Sequence, residues 1–257
     1  MTLELRDVSL SYRGTGTAAL DVLADINLKI ATGTFVSIIG PSGCGKSSIC
    51  NLIAGVEKSD QGDILLDTRS ILGLPGQVGY MPQKDLLLPW RTLLDNVALG
   101  GDIRREDKRK SREAARSWLE RFGLGEFTKH YPHQLSGGMR QRGALLRTFL
   151  FGQTTLILDE PFGALDALTR REMQAWLLDV WSQSNPTVLF ITHDIEEAML
   201  LSDEVVVLSQ RPARILERIT VPFARPRDPD ILLSSQALVV KKRLLDLLSE
   251  IGGTRAH

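Results

Sequence analysis

From Leu3 to Tyr12 (LELRDVSLSY) apolar and polar residues alternate, the period of a strand with one buried face. A polar turn, RGTGT, follows, and ALDVLADINLKI resumes strand character. FVSIIG (35–40) is a short apolar, β-branched run closed by glycine, which predicts a buried strand, and ICNLIAG downstream has helical spacing. GDILLD (62–67) and QVGYMPQ (77–83) predict further strands. The pattern changes from about Leu88 to His133, where Arg104 to Phe122 spaces Ala114, Ala115, Trp118, Leu119 and Phe122 as one helix face. TTLILDE (154–160) and TVLFITHD (187–194) are buried-strand runs ending in polar residues, separated by a helical stretch near 167–183. Strands alternating with helices predict an α/β fold with a parallel sheet and a helical insert. After Val221 a proline-rich linker, PFARPRDPD, leads to an amphipathic helix near 233–250, read as a packing appendage.

Composition narrows this little. The 257 residues are enough for one large domain or two small ones, with 43% apolar and 24% charged residues. Lysine plus arginine balances aspartate plus glutamate at 31 each, which gives no support for nucleic-acid binding. Cys44 and Cys50 read as reduced thiols, and no histidine or cysteine cluster suggests a metal site around them. The N-terminus lacks the apolar core of a signal peptide, and no run reaches the ~18–20 apolar residues of a membrane span. The expectation is a cytosolic or peripheral protein whose membrane crossing, if any, belongs to another subunit.

Candidate chemistry begins where the buried strand meets the glycines. Gly40-Pro41-Ser42-Gly43-Cys44-Gly45-Lys46-Ser47, followed by Ser48, satisfies G-x-x-x-x-G-K-[ST] between a strand and a helix. Glycines let backbone N–H groups curl around phosphate oxygens, and the helix N-terminus adds a favourable dipole. Lys46 would reach the β- and γ-phosphates of ATP and Ser47 would hold Mg²⁺. Asp159 and Glu160 end the LILDE strand, where parallel sheets present ligand sites. Asp159 fits the holding of magnesium through water, and Glu160 fits polarisation of the attacking water.

Leu135-Ser136-Gly137-Gly138-Met139, followed by Arg140-Gln141-Arg142, resembles the signature of ATP-binding cassette (ABC) ATPases. That resemblance implies a P-loop NTPase cassette: a mixed sheet core, an antiparallel β subdomain and a helical insert over about 88–140 within an ATPase domain at 1–221, then an appendage at 222–257. It implies two copies paired head to tail, each offering Ser136, Gly137 and Gly138 to the nucleotide of the other. Tyr12 would stack on adenine. Gln83, in YMPQ, would sense magnesium and the attacking water. Asp166, in GALDA, would couple the two sites, and His193, in ITHD, would contact the γ-phosphate. With Glu160 and His193 both present, hydrolysis at two equivalent sites is implied.

The segment KDLLLPWRTLLDNVALG, with GGMRQR, EPFGALDALTR and RPRDP, is similar to importers of the nitrate, sulfonate, taurine and bicarbonate type, with thiamine-precursor carriers as relatives. The implied setting is peripheral, on the cytoplasmic face of the inner membrane, with permease subunits as direct partners and a solute-binding protein as an indirect one. Trp90 reads either as a core aromatic or as a contact for the permease. Departures from the family pattern are Gly143 in the helix after the signature, a GQTT turn in place of a proline before TTLILDE, and a trimmed loop between Asp67 and Gln77. The competing class is a soluble cassette ATPase unconnected with transport.

Overall fold

A computed structural model describes residues 1–13 and 19–253; the rest of the expected RGTGT turn lies outside the described residues. An antiparallel sheet combines β1 (Leu3–Tyr12), β2 (Leu20–Ile30), β4 (Gln61–Leu66) and β5 (Arg69–Ser70) in the order β2-β1-β4-β5. β5 occupies the trimmed stretch after Asp67, where it returns along β4.

The second sheet runs β10-β9-β3-β8-β7-β6 and contains β3 (Phe35–Ile39), β6 (Gly79–Met81), β7 (Thr155–Asp159), β8 (Thr187–Ile191), β9 (Glu204–Leu208) and β10 (Ile215–Thr220). All neighbours are parallel except β10, which runs antiparallel to β9. β3, β7 and β8 are buried at every position, the pattern of strands covered on both faces. Of the strand expected over 77–83, only Gly79–Met81 pairs, because β7 is its single neighbour at the sheet edge.

Helices cover these sheets: α1 (Lys46–Ile53), α2 (Leu93–Val97), α3 (Leu99–Ile103), α4 (Lys108–Arg121), α5 (Gly137–Leu150), α6 (Ala167–Ser184), α7 (Ile195–Leu201) and α8 (Ser235–Gly253). The helix expected from Arg104 starts later because Asp107 caps it, its carboxylate accepting from Lys110 N at 2.9 Å. Arg104 turns away instead to bond the carbonyls of Leu150 and Phe151. Gly143 does not interrupt α5; a Cβ there would fall 2.6 Å from Leu93 Cδ1, so the glycine lets α2 pack closely.

Three apolar clusters fill the space between layers. One lies between the sheets and around α1, and one joins α2 to α6 on the far face of β7 and β8. The third is built by the tail: Val221, Phe223, Ala237, Val240 and Leu244 pack on Ile39, Val205 and Val207. Arg227 anchors it, donating to the carbonyls of Met199, Leu200, Ser202 and Phe223 while only 9% exposed. No described helix is long and apolar enough to cross a membrane.

Candidate active site

β3 delivers Gly40 at its carboxyl end and α1 begins at Lys46, so the Gly40–Ser48 loop is the link between a buried strand and a helix N-terminus. Gly43 (φ 72°) and Gly45 (φ 123°) adopt backbone that L side chains rarely take, and a Cβ on Gly45 would lie 2.8 Å from Leu23 Cδ2. No side chain caps α1 and no acid occupies its first turn, which leaves the amide donors for an anion. Lys46 Nζ wraps over the loop and donates to the carbonyls of Gly40 (2.8 Å) and Pro41 (2.9 Å).

Beneath the loop, β7 ends at Asp159, which is 2% exposed with its Oδ1 buried and without a hydrogen-bond partner. Burial pushes the Asp159 carboxyl pKa up, and a hydrogen bond with Ser47 pulls it back down. An unpartnered carboxylate oxygen beside a serine hydroxyl is the hard-oxygen donor set that Mg²⁺ takes, so these residues fit the ion. Among the described residues no group of three or more His, Cys, Asp or Glu side chains could hold a metal unaided. Phosphate oxygens and water would complete the coordination.

Gln83, Glu160 and His193 follow the carboxyl ends of the adjacent parallel strands β6, β7 and β8. Glu160 stands between the other two, with Oε2 accepting from Gln83 Nε2 at 3.1 Å and Oε1 lying 3.5 Å from His193 Nδ1. Its backbone is left-handed (φ 48°), a costly conformation for a residue with a Cβ. It is held there on both sides: Glu160 N donates to Ile191 O at 3.0 Å, and Glu160 O accepts from Gln141 Nε2 (3.0 Å) and Gly163 N (3.1 Å).

A cleft of ≈ 650 Å³ collects Tyr12, Ser42, Gly43, Gly45, Lys46, Ser47, Ser48, Gln83, Glu160 and His193, together with Val22 and Arg211. Tyr12 is 40% exposed at its rim, its hydroxyl 2.8 Å from Glu57 Oε2 and 3.2 Å from Ser48 Oγ. Gly40, Pro41 and Cys44 support the loop without lining the cleft. Cys44 and Cys50 are free, buried thiols whose pKa values are raised chiefly by burial.

Two expected groups lie elsewhere. Ser136 caps α5 by accepting from Met139 N at 3.2 Å, and the next residue, Gly137, lines a second hollow with Arg140, Gln141, Ala164 and Gln83, the last of which also lines the nucleotide cleft. Asp166 caps α6 at the exposed surface, its Oδ1 accepting from Leu168 N and Thr169 N at 3.1 Å. Those backbone donors, Thr169 first, hold its carboxyl pKa below the usual range.

Three residues of this region escape a reading of the sequence. Gln141 is quoted within GGMRQR, yet its bond to Glu160 O and its acceptance from Ala164 N at 2.8 Å arise only when α5 packs behind β7. Glu197 is buried behind the His193 loop, taking hydrogen bonds from Thr192 Oγ1 and, at 2.9 Å, from Gln174 Nε2. Its carboxyl pKa is raised, first by burial. Arg211 lies in a segment with no motif, so no local signal marked it.

Residues 23–163 match the ABC transporter family. The taurine import ATP-binding protein TauB of Pseudomonas aeruginosa is 44% identical over 88% of this chain and 84% of its own length. The aliphatic sulfonates import ATP-binding protein SsuB of Bacillus cereus is 38% identical over 98% of both. The formylaminopyrimidine import ATP-binding protein ThiZ of Halalkalibacterium halodurans is 39% identical over 96% of both. Among solved structures, the dimeric post-hydrolysis state of the ATP-binding cassette MJ0796 bound to ADP and Pi superposes with a TM-score of 0.79 at 28% identity, over 86% of this chain and 100% of that one. Strand, phosphate loop, paired sheets and sequence likeness over most of the chain agree: this protein belongs to the ABC transporter family, as one of its ATP-hydrolysing chains.

Proposed function

We propose that this chain is the energy-coupling ATPase of an importer for a small solute, working as a head-to-tail homodimer docked on membrane permease subunits at the cytoplasmic face. One observation carries the reading. The cleft gathers a phosphate loop, a carboxylate and its two neighbours but none of Ser136, Gly137 and Gly138, so in this reading a second copy supplies that turn to close each site. The dimeric MJ0796 cassette and the import proteins among the relatives support it.

In this reading the amides of the Gly40–Ser48 loop and Lys46 bind the phosphates, Lys46 exchanging its two loop carbonyls for phosphate oxygens. Tyr12 stacks on adenine. Ser47 and Asp159 would hold Mg²⁺, with Gln83 near it, and the ion would supply positive charge against the phosphates. Glu160 orients and polarises the attacking water, Gln83 and His193 hold Glu160 in place, and His193 reaches the γ-phosphate. Ser136, Gly137 and Gly138 of the second copy face that phosphate, and Asp166 joins the two sites. The ATPase unit spans 1–221 with its helical insert at about 88–140, and 222–257 is an appendage.

Permease docking is supported by an apolar groove of ≈ 410 Å³ between Tyr80, Pro82, Leu86, Leu99, Arg147 and Phe151. Trp90 nearby in sequence is 71% exposed, which removes the core reading of it. The test is co-purification, in mild detergent, of membrane permease subunits with the tagged chain expressed in its native cell. Stable capture, and loss of capture on Leu86→Glu, are expected. A chain that hydrolyses ATP but never captures a permease would instead be a soluble cassette ATPase.

A further inference from the structure

β9 runs parallel to β3 as its immediate neighbour, so its carboxyl end arrives beside the phosphate loop. The contact is close: a Cβ on Gly40 would lie 3.1 Å from Leu208 O. The chain then reverses through 209–214, a turn closed by Ser209 N on Arg214 O at 3.0 Å and by Arg214 N on Ser209 Oγ at 2.9 Å. One flank is joined to β2, with Ala213 N donating to Val22 O (2.8 Å) and Ala24 N to Ala213 O (3.0 Å). The other flank is tied to α8, where Gln210 Nε2 donates to Ile251 O at 2.6 Å.

This fixed frame carries Arg211 at its tip. The residue is exposed and lines the same cleft as Ser42, Lys46, Ser47 and Ser48. Its Nη2 lies 3.0 Å from the position that a Cβ on Gly43 would occupy, so the guanidinium rests directly over the loop. Among the described residues Arg211 donates no hydrogen bond and forms no ion pair, unlike Arg225 and Arg227 on the other side of the sheet. An arginine fork without a protein partner, facing a nest of amide donors, presents the geometry that takes phosphate oxygens two at a time. Stacking on a base is the other use of such a group, but Tyr12 stands at the rim while Arg211 touches the loop itself.

We propose that Arg211 is a further nucleotide ligand, closing over the Gly40–Ser47 loop to contact the phosphate chain of bound ATP. The assignment rests on the loop being the phosphate site. Gly43 then has a second reason to lack a side chain, since a Cβ would press on the guanidinium.

The test is equilibrium binding of MgATP, and displacement by inorganic tripolyphosphate, to wild type, Arg211→Ala, Arg211→Lys and Lys46→Ala. Arg211→Ala should weaken ATP and tripolyphosphate alike, by about tenfold, with Arg211→Lys in between and the ligand-free melting temperature unchanged. Binding of ATP by Arg211→Ala within twofold of wild type overturns the proposal. So does a loss for ATP with none for tripolyphosphate, which would place Arg211 on the base or ribose. If Lys46→Ala bound both ligands like wild type, the failure would lie with the loop as phosphate site and would remove the basis for the assignment.

Discussion

Gln83 Nε2 donates to Glu160 Oε2 at 3.1 Å, joining two residues 77 positions apart across the ends of β6 and β7. The bond aims one carboxylate oxygen and leaves the other beside His193. Glu160→Gln should therefore bind MgATP but turn it over at least ~100-fold more slowly, accumulating an ATP-bound dimer visible by size-exclusion chromatography. Gln83→Ala should lower kcat about tenfold with little change in KM. Undiminished turnover by Glu160→Gln would remove the base from this position.

Ser136, Gly137 and Gly138 do not line the nucleotide cleft, which makes a mixing experiment decisive. Lys46→Ala and Ser136→Glu should each be inactive alone. Mixed, they form heterodimers in which one composite site has an intact phosphate loop and an intact signature. Steady-state ATPase activity should reappear on mixing, and its absence would count against head-to-tail sharing.

Arg227 caps the end of α7 through the carbonyls of Met199, Leu200 and Ser202 and also binds Phe223 O. Burial, then Arg225, pushes its pKa down to about 10, so it remains charged at neutral pH. Arg227→Ala strands those buried acceptors and should cost about 3 kcal/mol, seen as a lower urea midpoint. A midpoint like that of wild type would show that these hydrogen bonds contribute nothing to folding.

Glu197 supplies a pH signature. Its folded pKa lies above the ordinary 4.5 because burial disfavours the anion. Its favourable contribution is therefore full below pH 4.5 and is lost as pH rises through the folded value. Glu197→Gln removes the ionisation, so its stability relative to wild type should increase from pH 4.5 to 7.5 in paired thermal melts. A constant difference would mean that Glu197 titrates normally.

Much of the site was legible because its chemistry is local. Eight consecutive residues, Gly40 to Ser47, specify a strand-to-helix turn whose glycines need positive φ at Gly43 and Gly45. Glu160 and His193 could be read because each closely follows a buried, mostly apolar strand. The β9–β10 hairpin was missed, although EVVVL is as apolar as β3, because no polar motif follows it. Gln141 and Arg211 act through backbone groups and loops brought near only by packing, which spacing along a chain does not encode. Arg227 was visible as part of RPRDP, but its partners sit at the end of α7, 25 to 28 residues away.

Cys44 and Cys50 are 2% and 0% exposed, and burial raises both pKa values, so at neutral pH neither offers a reachable thiolate. The folded chain is thus silent towards maleimides without removal of either native residue. A single cysteine placed at Leu168, which is 71% exposed beside Asp166, becomes the addressable one. In a homodimer that puts one spin label on each copy, and the distance between them becomes a ruler for the opening and closing of the pair.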